Sequence, residues 1–528
     1  MEEEGSSLRL VIRTDVFPPD IWSEIGSFLV CATDKHDRFD FYGFAKISHN
    51  ALVAVATAPY YWETRDVYYN KYLDQRLAPL RGIYWSFPNK YPLCLANVLR
   101  TRLQMGYNID LLGVLARGEI SRKALRNFLA YVIGGSFNDV PEDASHMKHG
   151  EVLGLCFEHY GDPNIDDLQM LAGVGVYPKL LRKSSCYSLN SAFVFKLTEL
   201  WSSSLTHLDF CDAREVASDA LFEAISRCHG NIVFLRVGVL RLSDVDMTYK
   251  ELQEIRNASY ARQQNTILLP HRSGQPHAGG HDATFDKLSP EAGRGLRHLE
   301  VGLYEGGFNS FACGYSLGMK CPCLEVFSLS NSCSHNKCGG DSFFEGIGAA
   351  AAEQVESRKL EGKEDDDIDT MCKNMKKLYL PGIVDTLNPI VQHFVALEHL
   401  FIEMWGMREP LVGLSEIGHK FGKTLKVLEV DDCGMDGEIL NEIVKHTPEL
   451  EKLAIDEAVI RDQSQVEGLI ESMSILQNLR NFSVSSSEFH KNYPDFLVST
   501  DTDTTVLFDS LHPDCEVWLT WSSYKRKQ

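Results

Sequence analysis

The residues best suited to chemistry in this 528-residue chain are cysteines and histidines. Cys321-Pro322-Cys323 is followed by Cys333, His335 and Cys338, and thiolate and imidazole are proper zinc ligands. Their spacing, however, is not that of paired Cys-x-x-Cys knuckles. His271, His277 and His281 lie in a stretch rich in Gln, Gly and Ser, which reads as a polar loop before it reads as a metal site. Gly302-Leu303-Tyr304-Glu305-Gly306-Gly307 is glycine-rich but lacks the strand, phosphate loop and helix order that a nucleotide site needs. There is no P-loop, no Gly-x-Ser-x-Gly elbow and no His-Glu-x-x-His. The carboxylates are scattered, so no acid/base pair can be singled out. The sequence therefore predicts no catalytic residue, no metal and no cofactor, and a binding protein rather than an enzyme.

The overall charge narrows the partners. A formal net charge of −21 repels phosphate backbones and anionic lipid heads, so neither nucleic acid nor a membrane surface is expected. The last basic cluster, Lys525-Arg526-Lys527, reads as a solvated tail. The chain opens on Met1 and three glutamates, the wrong charge for a signal peptide, and no apolar stretch approaches a membrane span. A cytoplasmic or nuclear protein is expected, with its 14 cysteines reduced and mostly buried as small apolar residues.

The elements that would carry a binding surface repeat along the second half. The unit is Leu-x-x-Leu-x-Leu, with other apolar residues allowed. It begins at Leu205, Ile232, Leu296, Leu324, Met375, Leu397, Leu425, Leu450 and Leu479. Most neighbouring copies are roughly 22 to 29 residues apart. Between them lie helical patterns such as Asp219–Ile225 and Glu438–Val444. The pattern resembles leucine-rich repeats, and the copy at Leu425 continues to Cys433, at that repeat's Asn/Cys position. It predicts an α/β leucine-rich-repeat solenoid (a horseshoe) over 201–520, each repeat an inner strand and an outer helix. One such unit cannot bury its apolar face alone, so the units stack. Two intervals exceed one period, and insertions leaving the solenoid are expected near 244–295 and 349–370, the second ending in Glu364 and three aspartates. Residues 66–200 read as a helical linker, with Ile109–Leu115 helical and with Leu153–Phe157 and Leu180-Leu181 as divergent early repeats.

The segment 15–65 differs. Phe17-Pro18-Pro19 opens a capped helix whose Ile21, Ile25, Phe28 and Leu29 form one apolar stripe. A charged loop follows, then an apolar segment through Ile47-Ser48 that ends at Trp62. The order resembles an F-box, with Phe17-Pro18 as its opening, Ile47-Ser48 as its middle and Trp62 as its close. The opening Leu of that family is Phe17 here. An alternative reading makes the segment the N-terminal helical cap of the solenoid.

Together the two parts resemble the F-box/leucine-rich-repeat proteins. The resemblance implies a substrate-binding adaptor of a ubiquitin ligase. Pro18, Ile21, Ile25, Phe28 and Leu29 would dock on Skp1, and through it on a cullin–RING ligase. The repeats would hold a protein substrate at exposed strand positions, for which His207, Asp209, His298, Glu300, Glu398, His399, Glu429 and Glu451 are the candidates. Their acidic and histidine character favours a basic substrate. The rival is a leucine-rich-repeat scaffold with no ligase link.

Overall fold

A computed structural model describes parts of 97–156, then 165–182, 191–241 and 285–485 with gaps, and the strand 516–520. The segment 15–65 lies outside the described residues, and with it Pro18, Ile21, Ile25, Phe28 and Leu29. So do Cys333, His335, Cys338, the three histidines of 271–281 and the acidic run at 364–367. Among the described residues no helix is long and apolar enough to cross a membrane. The chain forms two compact units, with the boundary inside the helix Ser191–Trp201.

The first unit carries parallel strands β1 (Ile109–Leu111), β2 (Val152–Cys156), β3 (Leu180–Arg182) and β4 (His207–Phe210), of which Phe210 falls to the second unit. Helix α1 (Ile165–Gly173) lies between β2 and β3, with Asp166 and Asp167 in its first turn, where the helix dipole favours negative charge. Strand β1 corrects an expectation: Ile109–Leu111 was expected to be helical. A short apolar run has no period of its own to decide the matter, and pairing with β2 decides it for strand.

The second unit is α/β. A parallel sheet runs through β6 (Phe234–Arg241), β7 (His298–Leu303), β8 (Val326–Asn331), β9 (Lys377–Pro381), β10 (His399–Met407), β11 (Val427–Cys433), β12 (Lys452–Ile455), β13 (Asn481–Ser485) and β14 (Glu516–Thr520), each beside its neighbour in sequence. The short β5 (Val216–Ala217) pairs with β6. Parallel neighbours need a crossover of a dozen residues or more, which is why the motif recurs at so long an interval. Helix α2 (Ser191–Trp201) lies between β3 and β4 in sequence. In the second unit the helices fill the crossovers, among them α3 (Ser218–Ser226), α4 (Pro290–Gly295), α5 (Phe311–Lys320), α6 (Gly340–Leu360), α7 (Met371–Asn374), α8 (Asn388–His393), α9 (Leu414–Phe421) and α10 (Gly437–His446).

All three apolar positions of the motif go inward. Leu299, Phe327, Leu378, Leu400, Leu428 and Leu453 are paired across the strands and fully buried or nearly so. A second buried row, two residues on, runs through Val301, Leu329, Leu380, Ile402, Val430 and Ile455. The period of two along each strand puts the residues between these rows on the opposite face. Burying a side chain of this size stabilises the fold by about 1.5–3 kcal/mol, so the two rows hold the strands in register.

The helix layer is capped and close-packed. Asp436 accepts a bond from the Ile439 amide at 2.9 Å to start α10, and Ser289 with Pro290 starts α4. Helices α5 and α6 meet at glycines: a Cβ on Gly314 would fall 1.9 Å from the Phe343 carbonyl oxygen, and one on Gly346 would fall 2.1 Å from that of Phe311. The long interval at 349–370 is helical as far as Leu360, where the 21-residue α6 ends. Ala350 is fully buried, and Ile368, Met371 and Cys372 return to the core. The end of the 244–295 interval is likewise packed, with Phe285, Leu288 and Ala292 buried.

Candidate binding face

The three variable positions of the motif form three ladders on the open face of the second unit. The first ladder immediately precedes the strands: Arg297, Glu325, Lys376, Glu398, Lys426, Glu451 and Arg480. The amide of each donates to the carbonyl of the one before it, at 2.7–2.8 Å. The sign of charge alternates at every step. Lys376 lies 2.8 Å from Glu325, and Lys426 lies 3.6 Å from Glu398. Opposite charges on adjacent strands attract and like charges repel, so the ladder favours this order of repeats over a slipped one.

The second ladder starts the strands, running His298, Val326, Lys377, His399, Val427, Lys452 and Asn481. The third, two residues on, runs Arg236, Glu300, Ser328, Tyr379, Phe401, Glu429, Ala454 and Ser483. Its centre is aromatic: the Tyr379 and Phe401 rings lie 6.1 Å apart, tilted by 41°, and both are half-buried. Its flanks are ionic. On one side Arg236 meets Glu300 at 2.8 Å and His298 meets it at 2.7 Å. On the other Lys452 meets Glu429 at 2.8 Å.

These surroundings set protonation. Burial pushes the Glu300 carboxyl up, but the His298 hydrogen bond and the charges of His298 and Arg236 outweigh it and hold it below the ordinary value. His399 moves down to about 4, chiefly by burial and then by Lys377 and Lys426, against the pull of Glu398 and Glu429. It is therefore a neutral ring at physiological pH.

Six of the eight residues expected to contact a partner, His298, Glu300, Glu398, His399, Glu429 and Glu451, share this face. His207 and Asp209 lie on β4 in the first unit. Asp209 departs from the exposed position expected of it. It is only 8% exposed and lies 3.6 Å from Arg182 on β3. Three of the four carboxylates on this face expected to favour a basic partner already have cations of this chain beside them: Arg236 for Glu300, Lys426 for Glu398 and Lys452 for Glu429. Sequence reasoning missed those cations and the aromatic pair, although all occupy the same motif columns.

No protein-family model matches the chain, and no curated protein does. Among the described residues, Cys228, Cys313, Cys321, Cys323 and Cys372 are buried. Cys321 and Cys372 are buried with their thiols pushed up to about 12, and Cys228 is pushed to about 11, so the thiolate a metal or an electrophile needs is disfavoured at each.

Proposed function

We propose that the chain is a protein-binding adaptor, a leucine-rich-repeat solenoid preceded by a small F-box-like unit. Its sheet face holds a polypeptide partner. Its N-terminal segment docks on Skp1 through Pro18, Ile21, Ile25, Phe28 and Leu29, and so brings that partner to a cullin–RING ubiquitin ligase. The observation that carries the first half is the Tyr379–Phe401 pair, half-buried at the centre of a face where Glu300, Glu325, Glu398 and Glu429 each have a cation beside them. Aromatic anchors inside a polar rim supply most of the free energy of protein recognition. Because the carboxylates around it are matched by Arg236, Lys426 and Lys452, the favoured partner presents an apolar or aromatic side chain before it presents a basic one. The second half is supported by the order of Phe17-Pro18, Ile47-Ser48 and Trp62 in the sequence.

The test is a pull-down of the full chain with purified Skp1, beside a variant carrying Pro18→Ala and Ile25→Asp. Capture of the wild type and loss in the variant supports the ligase adaptor. Capture of neither leaves a leucine-rich-repeat scaffold whose first helices are a cap.

A further inference from the structure

Helices α9 and α10 approach more closely than side chains at their contact would permit. A Cβ on Gly422 would fall 1.8 Å from the His446 carbonyl oxygen, and one on Gly418 would fall 3.0 Å from the Ile443 Cα. At this contact the His419 and His446 rings have centroids 3.8 Å apart. Glu442, one turn before His446, reaches both. Its Oε1 is 3.4 Å from His419 Nε2 and 3.6 Å from His446 Nδ1. One nitrogen of each ring and a carboxylate oxygen lie within 4.8 Å of one another. His419 is exposed and the other two are half-exposed, so an ion from solvent can reach them.

We propose that His419, Glu442 and His446 form a site for a divalent transition metal, zinc being the ion that fits best. Three protein ligands would leave a fourth position for water. A tetrahedral zinc with bonds of about 2.0–2.1 Å holds its ligand atoms roughly 3.3–3.4 Å apart, and the His419–Glu442 separation is 3.4 Å. The Nδ1 of His446 donates to the Glu442 carbonyl oxygen at 2.9 Å. Nδ1 is also the His446 nitrogen that faces Glu442 Oε1, at 3.6 Å, so an ion taken there displaces this bond to the carbonyl. Lys445 lies 3.8 Å from Glu442 Oε2, the other carboxylate oxygen, so Oε1 keeps its capacity. Two imidazoles favour zinc, cobalt or nickel over calcium and magnesium, which prefer oxygen. The bound ion clips α9 to α10, and with them two successive strand–helix units.

The full chain is titrated with Co2+ in reducing buffer at neutral pH. Cobalt held by nitrogen and oxygen absorbs in the visible, and thiolate ligands add a near-ultraviolet band that identifies cysteine binding. The expected result is a visible band saturating at one equivalent without the thiolate band, and displaced by Zn2+. His419→Ala and His446→Ala should each weaken it by more than the roughly 10–100-fold that losing an outer-shell partner costs, with circular dichroism unchanged. Zn2+ should raise the Tm of the wild type and not of either variant. A wild type without the band, or a titration unchanged in both variants, overturns the proposal.

Discussion

Lys452 on β12 lies 2.8 Å from Glu429 on β11, on the open face one strand from Phe401. The pair joins two neighbouring repeats through side chains alone. Its worth can be isolated. Glu429→Lys and Lys452→Glu should each cost about 0.5–1 kcal/mol, and the exchanged double variant should recover most of it. Urea unfolding of the four proteins gives the coupling, which should shrink at high salt.

Phe401 and Leu400 are adjacent in sequence and opposite in role. Leu400 is fully buried, so Leu400→Ala should destabilise by about 2–5 kcal/mol and lower the Tm by several degrees. Phe401→Ser, with Tyr379→Ser, removes half-buried rings from the face. That double variant should hold its Tm within a few degrees and lose partner affinity by about tenfold or more, the scale of a binding hot spot. Thermal unfolding and a binding titration on the same preparations separate the two effects.

His399 gives the face a pH dependence with a definite sign. Its folded value is about 4, below the ordinary 6.5. The unfolded chain therefore takes up a proton that the folded chain refuses. The contribution is fully present above 6.5 and is lost as pH falls through 6.5 toward 4. Urea midpoints measured across that window should fall less steeply for His399→Gln than for the wild type.

Much of this was legible in the sequence, because one physical rule governs the repeats. The apolar motif positions from Leu296 to Phe482 had to be buried together, and the intervals between copies had room for helix. The charge alternation from Arg297 to Arg480 was present as well, but only as a column. It appears when the copies are stacked and vanishes when each is read alone, which is how Glu398 and Glu451 were noticed without Lys376 and Lys426. Ile109–Leu111 was illegible for a different reason. Three residues show no period, and their partner strand β2 is some forty residues away. The His419–His446 contact depends on how closely two glycines let α9 and α10 approach, which no local pattern records.

The buried thiols make a further prediction. Cys228, Cys321 and Cys372 should resist alkylation in the native protein and react promptly in denaturant, as mass spectrometry of labelled peptides will show. Rapid native labelling of Cys321 would contradict its place in the core.

An adaptor must hold two partners through two separable surfaces, and that is measured most directly by quantitative co-purification of the full chain from cells. Wild type is compared with the Pro18→Ala/Ile25→Asp variant and with the Tyr379→Ser/Phe401→Ser variant. The account predicts that the first variant loses Skp1 and keeps the partners of the repeat face. The second keeps Skp1 and loses those partners. A wild type that recovers no Skp1, or a face variant that recovers every partner at wild-type levels, would contradict it.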